Sequence, residues 1–114
     1  MQNRIDWIFI AFLFLGVVGH LFGTFALVEI GSNLFVWSMA GVLAAALVVA
    51  LNILRKFRKG DRMIAALALF GSLGWVVIAI LFGRAMGNSL DARSVSHAVA
   101  ALGCAFFSWR AMRA

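Results

Sequence analysis

Long apolar runs separated by short polar stretches make up almost the whole chain. Three runs carry no charged residue, and each has about the 20 residues that a helix needs to cross a bilayer. A fourth is free of charged residues only over about 95–109, and it reaches this length by including the polar turn before it. The predicted spans are 7–28, 34–54, 63–82 and 92–110. The pattern predicts an all-α membrane protein, with one integral membrane domain over 1–114 that forms a four-transmembrane-helix bundle of two hairpins.

A strongly basic segment, residues 55–62, joins the two predicted hairpins. It holds half of the ten basic residues of the chain, namely Arg55, Lys56, Arg58, Lys59 and Arg62. Positive charge in a short loop favours the cytoplasmic side during membrane insertion. We therefore expect this loop to be cytoplasmic and its five cations to determine the topology.

The remaining basic residues follow the same asymmetry. Arg4, Arg110 and Arg113 lie on the same side as the basic loop, whereas Arg84 and Arg93 lie on the other. Eight of the ten cations are thus on one side, which predicts that both termini are cytoplasmic. We expect the protein to reside in a bacterial inner membrane. This bias argues against a dimer of two oppositely inserted copies.

Composition supports the bilayer as the environment of the chain. Hydrophobic residues make up 65% and charged residues 12%, with a mean hydropathy of +1.05, against about 45–50% and 25% in soluble domains. A net charge of +6 could suit nucleic acid, but the cations lie at the ends of apolar runs and form no soluble basic face. We expect a lipid partner and no nucleic acid. The first run is too long for a cleavable signal, so we expect it to remain as an anchor.

Helical periodicity predicts which side of each helix faces protein, because close helix contacts in membranes use small residues. On the first span the predicted inner stripe is Gly16, Gly19, His20, Gly23 and Thr24. On the fourth span it is Ser94, His97, Ala101, Cys104 and Ser108. Gly19 and Gly23 have the small-xxx-small spacing, which we expect to serve packing within the bundle, with dimerisation as the alternative.

Two histidines are the candidate cofactor ligands. His20 lies nine positions before Glu29, or about 13.5 Å along a helix, and His97 lies six positions after Asp91, or about 9 Å. Two inward histidines at similar depth on different helices can ligate a b-type haem from both sides. His20 is also a candidate proton site, and a structural hydrogen bond is the plainer alternative for each.

Polar residues between the third and fourth spans indicate a second candidate site. The predicted outer connection is 83–91, and any site facing that side would use a polar outer cluster of Glu29, Asn88, Asp91 and Arg93. A helix cap at Asp91 and a cation reaching the interface at Arg93 are the simpler interpretations.

Catalytic signatures are absent from the sequence. There is no G-x-S-x-G, H-E-x-x-H or phosphate loop, and the spans hold no pair of carboxylates. We therefore expect a non-catalytic accessory, assembly or regulatory component that acts through helix contacts, as a homo-oligomer or with a membrane-protein partner. One alternative is a b-haem electron carrier using His20 and His97. Another is a small oligomeric transporter with His20 as its proton site.

Overall fold

A computed structural model describes residues 2–114. Within them the chain forms four α-helices and no strand: α1 (Gln2–Leu27), α2 (Asn33–Phe57), α3 (Arg62–Ala85) and α4 (Ala92–Arg113). The predicted all-helical architecture is confirmed. The first three helices are long and apolar enough to cross a membrane. α4 is not among them, because its first two turns carry charged and polar residues.

Two helices extend further toward the basic segment than the hydropathy pattern predicts. α1 already includes residues 2–6, and α2 continues to Phe57, so that the connection to α3 shrinks from the predicted 55–62 to 58–61. Arg55 and Lys56 are therefore helical residues. The reason is a partner on α1, since both side chains contact Asp6 there.

Side-chain caps and glycines set the helix ends. Ser32 Oγ accepts a hydrogen bond from the amide three residues later at 3.1 Å, and Asp61 Oδ1 does the same at the start of α3. Both residues are N-caps. The preceding Gly31 and Gly60 have φ of +85° and +84°, a conformation that favours glycine. These caps fix where α2 and α3 begin.

The helices form a bundle in which each packs against its neighbours in the chain and α4 closes the ring against α1. The bundle is 45 Å long. We call the end with loop 58–61 the basic end, and the end with connections 28–32 and 86–91 the far end. α3 and α4 make the most extensive contact. Near the far end, Ser94 Oγ donates to the Ala79 carbonyl at 2.6 Å, and a Cβ on Gly83 would lie 2.5 Å from that hydroxyl.

The predicted inner stripe of α4 is confirmed. Ser94, Ala101, Cys104 and Ser108 are buried, and His97 is half-buried. The residues on the opposite face are exposed, and they are Val95, Val99, Leu102, Phe106 and Trp109.

The predicted inner stripe of α1 is only half right. Thr24 is buried and His20 is half-buried, but toward the basic end the inner face consists of Asp6 with the bulky residues Ile10, Leu13 and Val17. Gly19 is exposed, and a Cβ on Gly19 or Gly23 would meet no other heavy atom within 4 Å. The expectation that this glycine pair packs inside the bundle is therefore wrong.

Candidate functional site

The bundle brings the two predicted histidines together. His20 on α1 and His97 on α4 have ring centroids 6.5 Å apart, with ring planes at 79°. This proximity follows from the ring order of the helices, which places α4 beside α1. Both side chains are half-buried.

Trp75 on α3 completes this cluster. Its indole Nε1 donates a hydrogen bond to His97 Nδ1 at 3.1 Å. Because an indole N–H can only donate, Nδ1 must present its lone pair, and the proton of the neutral His97 imidazole resides on Nε2. His97 therefore serves as a hydrogen-bond acceptor between α3 and α4. Sequence reasoning did not identify Trp75 as a member of this cluster.

His20 has its own partner on α2. Its Nε2 lies 3.3 Å from the carbonyl oxygen of Ser38. A carbonyl can only accept, so Nε2 of His20 donates this bond. The backbone carbonyl of His20 in turn accepts a 2.8 Å bond from the Thr24 hydroxyl.

Two glycines on neighbouring helices leave the space that the two imidazole rings occupy. A Cβ on Gly16 would lie 2.8 Å from Cε1 and 2.9 Å from Nε2 of His97. A Cβ on Gly41 would lie 3.4 Å from His20 Nε2. The helix backbones can thus approach the two rings because these positions lack side chains.

These hydrogen bonds bear on what the pair can ligate. In the observed arrangement both Nε2 atoms carry protons, and Nδ1 of His97 is bonded to Trp75. A haem iron needs an unprotonated ring nitrogen. Ligation through Nε2 would therefore require a new tautomer of each ring, and ligation by either nitrogen of His97 would require the loss of the Trp75 bond. Haem ligation stays a prediction. Within residues 2–114, no group of three or more His, Cys, Asp or Glu side chains converges as a metal site would need.

A second buried polar cluster lies at the basic end. Arg55 donates through Nη1 and Nη2 to the two carboxylate oxygens of Asp6, at 2.9 and 2.7 Å. Lys56 Nζ lies 3.0 Å from Asp6 Oδ2 and also bonds the Asn3 side chain. The side chains of Asp6 and Arg55 are each 5% exposed. Two of the predicted topology-determining cations are thus also partners in a buried ion-pair cluster.

Asn52 extends this cluster toward the middle of the bundle. Its Nδ2 donates to the Ser72 hydroxyl at 2.9 Å, and its Oδ1 accepts from Ser108 at 3.0 Å and from Arg55 Nη2 at 3.2 Å. Asn52, Ser72 and Ser108 are each 0% exposed. We call Asp6, Arg55, Asn52, Ser72 and Ser108 the polar column. It connects all four helices, and every one of its side chains bonds another member.

The other three predicted topology residues lie on the surface. Arg58 is exposed and lies 3.7 Å from Asp61, while Lys59 and Arg62 are exposed. Their position at the basic end agrees with the charge asymmetry of the chain.

The predicted polar outer cluster is brought together only in part. Arg93 donates to both carboxylate oxygens of Asp91 at 3.1 Å, and Asp91 also accepts from the Arg93 amide at 2.9 Å. These bonds from Arg93 hold the pKa of Asp91 below its ordinary value. Asn88 Oδ1 accepts from the Leu90 amide. The Glu29 side chain makes no hydrogen bond or ion pair with the described residues, so the four do not form one site.

Sequence reasoning missed the Asp6–Arg55 pair. The signal was an acid at the edge of the first span, on the side that carries the basic segment. An acid in this position is also typical of a residue that simply ends a membrane span and faces water. The sequence therefore did not distinguish a buried ion pair from a solvated carboxylate. The chain matches no known family model, no characterised protein and no solved structure.

Proposed function

We propose that this protein is a bacterial inner-membrane component that acts through lateral helix contacts, as a homo-oligomer or with a membrane-protein partner. In this proposal it has no catalysis of its own and serves an accessory, assembly or regulatory role. It crosses the bilayer four times, with α4 as the fourth span and both termini in the cytoplasm.

The topology rests on charge and on the packing of α4. The basic end carries eight of the ten cations, which favours its retention in the cytoplasm. α4 has 22 residues, enough to cross the hydrocarbon core, and its lipid-facing side is apolar. Its polar residues Ser94 and His97 face α3 instead, where both make hydrogen bonds.

An exposed surface on α1 is the observation that supports lateral contacts with another helix. Leu15, Gly19 and Phe22 follow one another at helical spacing and are all exposed, with Leu15 61% and Phe22 70% accessible. Gly19 leaves a notch between the two bulky side chains. In membranes such notches let a second helix approach closely. The side chains of the polar column, by contrast, are bonded to one another within one copy.

Oligomeric state is the decisive measurement. We expect the protein in nanodiscs or mild detergent to have the mass of more than one chain, or to crosslink to one membrane protein in cells. Gly19→Leu fills the notch and is expected to abolish that association. Gly74→Leu is the matched control, because Gly74 on α3 is equally open. A monomeric wild type without a crosslinked partner, or equal behaviour of the two variants, would contradict the proposal.

The histidine pair supports a second candidate function. Two imidazoles 6.5 Å apart on different helices suit either haem ligation or a proton site in a small oligomeric transporter. If the protein purified in the presence of haem shows no Soret band, haem ligation by this pair is ruled out. For the second, proton-coupled transport in liposomes that His20→Ala leaves unchanged would remove the proposed role of His20.

A further inference from the structure

A cavity of about 270 Å³ opens at the basic end, where loop 58–61 meets the first turns of α1 and α3 and the last turns of α2 and α4. Its charged wall residues are Asp6, Arg55, Lys56, Arg58, Lys59 and Asp61. A second recess of about 260 Å³ shares Asp6 and Arg55 and adds Arg110. The cavity is slightly smaller than the about 300–1,000 Å³ of typical small-molecule sites, a size that suits a compact head group.

The side chains of the wall carry an excess of positive charge. Four cations face two carboxylates, and the single carboxylate of Asp6 is shared by Arg55 and Lys56. Arg58 lies 3.7 Å from Asp61, a loose contact. Lys59 makes no ion pair within residues 2–114. The side chains of the cavity wall therefore carry a net positive charge.

The guanidinium of Arg55 has a buried donor without a partner, which is a second feature that points to a ligand at this end. Its side chain is 5% exposed, and both Nη atoms are bonded within the polar column, but its Nε has no hydrogen-bond partner among the described residues. A buried donor without an acceptor is costly. Arg55 lines both recesses, so an oxygen acceptor that enters there lies next to a guanidinium with one unpartnered donor.

We propose that this cavity binds a phosphate group, carried either by an anionic phospholipid or by a soluble phosphate. Guanidinium and ammonium groups together recognise phosphate oxygens, and basic pockets between transmembrane helices bind phospholipid head groups. Arg55 is the anchoring donor, and Lys59 and Arg58 supply the unneutralised charge. This proposal does not depend on oligomerisation.

The test compares two double variants of the full-length protein. Arg58→Gln/Lys59→Gln removes two cavity cations, whereas Arg62→Gln/Arg113→Gln removes two cations of the basic end outside the cavity walls. The probes are inorganic phosphate, followed by the shift in melting temperature, and phosphatidylglycerol against phosphatidylcholine in nanodiscs, followed by lipid retention in native mass spectrometry. All four substituted residues are exposed, so folding is expected to be intact and is checked by circular dichroism.

We expect the cavity variant to bind about thirtyfold more weakly, and the control to stay near wild type. Loss of phosphatidylglycerol retention alone assigns the site to lipid, and loss of phosphate stabilisation alone assigns it to a soluble ligand. Ala111→Leu, which fills both recesses without changing charge, is expected to weaken binding as well, unlike Ala92→Leu at the far end. Binding of neither probe, or equal losses in the cavity variant and its control, would overturn the proposal.

Discussion

Arg55 on α2 donates hydrogen bonds to both carboxylate oxygens of Asp6 on α1, 49 positions away in the chain, at 2.7 and 2.9 Å. The pair is almost completely shielded from solvent. It fastens the first two helices at the basic end and, through Asn52, connects them to α3 and α4. The two residues therefore act as one structural unit.

Removing the carboxylate is expected to leave a buried cation uncompensated. Asp6→Ala should lower the free energy of unfolding by about 3–5 kcal/mol, measured by reversible denaturation in detergent micelles. Glu29→Gln, which removes an exposed carboxylate, should change it by less than about 0.5 kcal/mol. Asp6→Ala/Arg55→Leu should recover part of the loss, because the buried guanidinium is then removed together with its carboxylate, and Lys56 keeps its bond to Asn3. Similar stabilities for Asp6→Ala and Glu29→Gln would contradict this account.

A side chain at Gly16 is expected to displace the His97 ring. The added Cβ would lie 2.8 Å from Cε1, so Gly16→Ala should destabilise the protein by about 1–3 kcal/mol. Gly74→Ala is the matched control, since its Cβ meets nothing within 4 Å, and it should be neutral or stabilising by up to about 1 kcal/mol. Thermal denaturation of both variants measures the difference. Equal effects would show that the contact at Gly16 is unimportant.

The Trp75–His97 bond is expected to fix the tautomer of one imidazole. Nitrogen NMR of labelled histidine should show His97 protonated at Nε2 and not at Nδ1. Trp75→Phe removes the donor and should produce a mixture of tautomers at His97. The His20 signal, whose partner is the Ser38 carbonyl, should keep its tautomer. A His97 spectrum unaffected by Trp75→Phe would rule out this hydrogen bond.

The first turn of α4 is expected to depend on pH through Asp91. Arg93 lowers the pKa of this carboxyl in the folded protein, so its charge stabilises the fold above the ordinary value of 3.8. That contribution is lost as the pH falls through the lowered pKa, below 3.8. The melting temperature of wild type should exceed that of Asp91→Asn at neutral pH and converge with it in acid. Because Asn also caps helices, a pH-independent difference would mean that the charge is irrelevant.

The sequence was a better guide to the faces of α4 than to those of α1. Ser94, Cys104 and Ser108 mark the buried side of α4 because small and hydroxyl residues are rare on a lipid-facing surface. On α1, Leu13 is fully buried and Phe14 is exposed, although both are large and apolar. Lipid and protein interior are similarly apolar, so hydrophobicity alone cannot distinguish the two environments.

The convergence of the histidines and the pairing of Asp6 with Arg55 depend on the relative register of different helices. Sequence spacing placed His20 and His97 at similar depth, but whether they face one another depends on the order of helices around the bundle. Asp6 lies near the start of the first hairpin in the sequence and Arg55 near its end. Their contact requires α1 to begin earlier and α2 to end later than hydropathy predicts. Local patterns contain no information on such long-range distances.

The shared carboxylate of Asp6 also bears on biogenesis. In the proposed topology, α1 is synthesised well before residues 55 and 56, so Asp6 at first lacks the two partners that it has in the folded protein. Both contacts can form only after the end of α2 has left the ribosome. The first hairpin, and not the single helix, is thus the smallest segment in which Asp6 is paired as in the complete bundle.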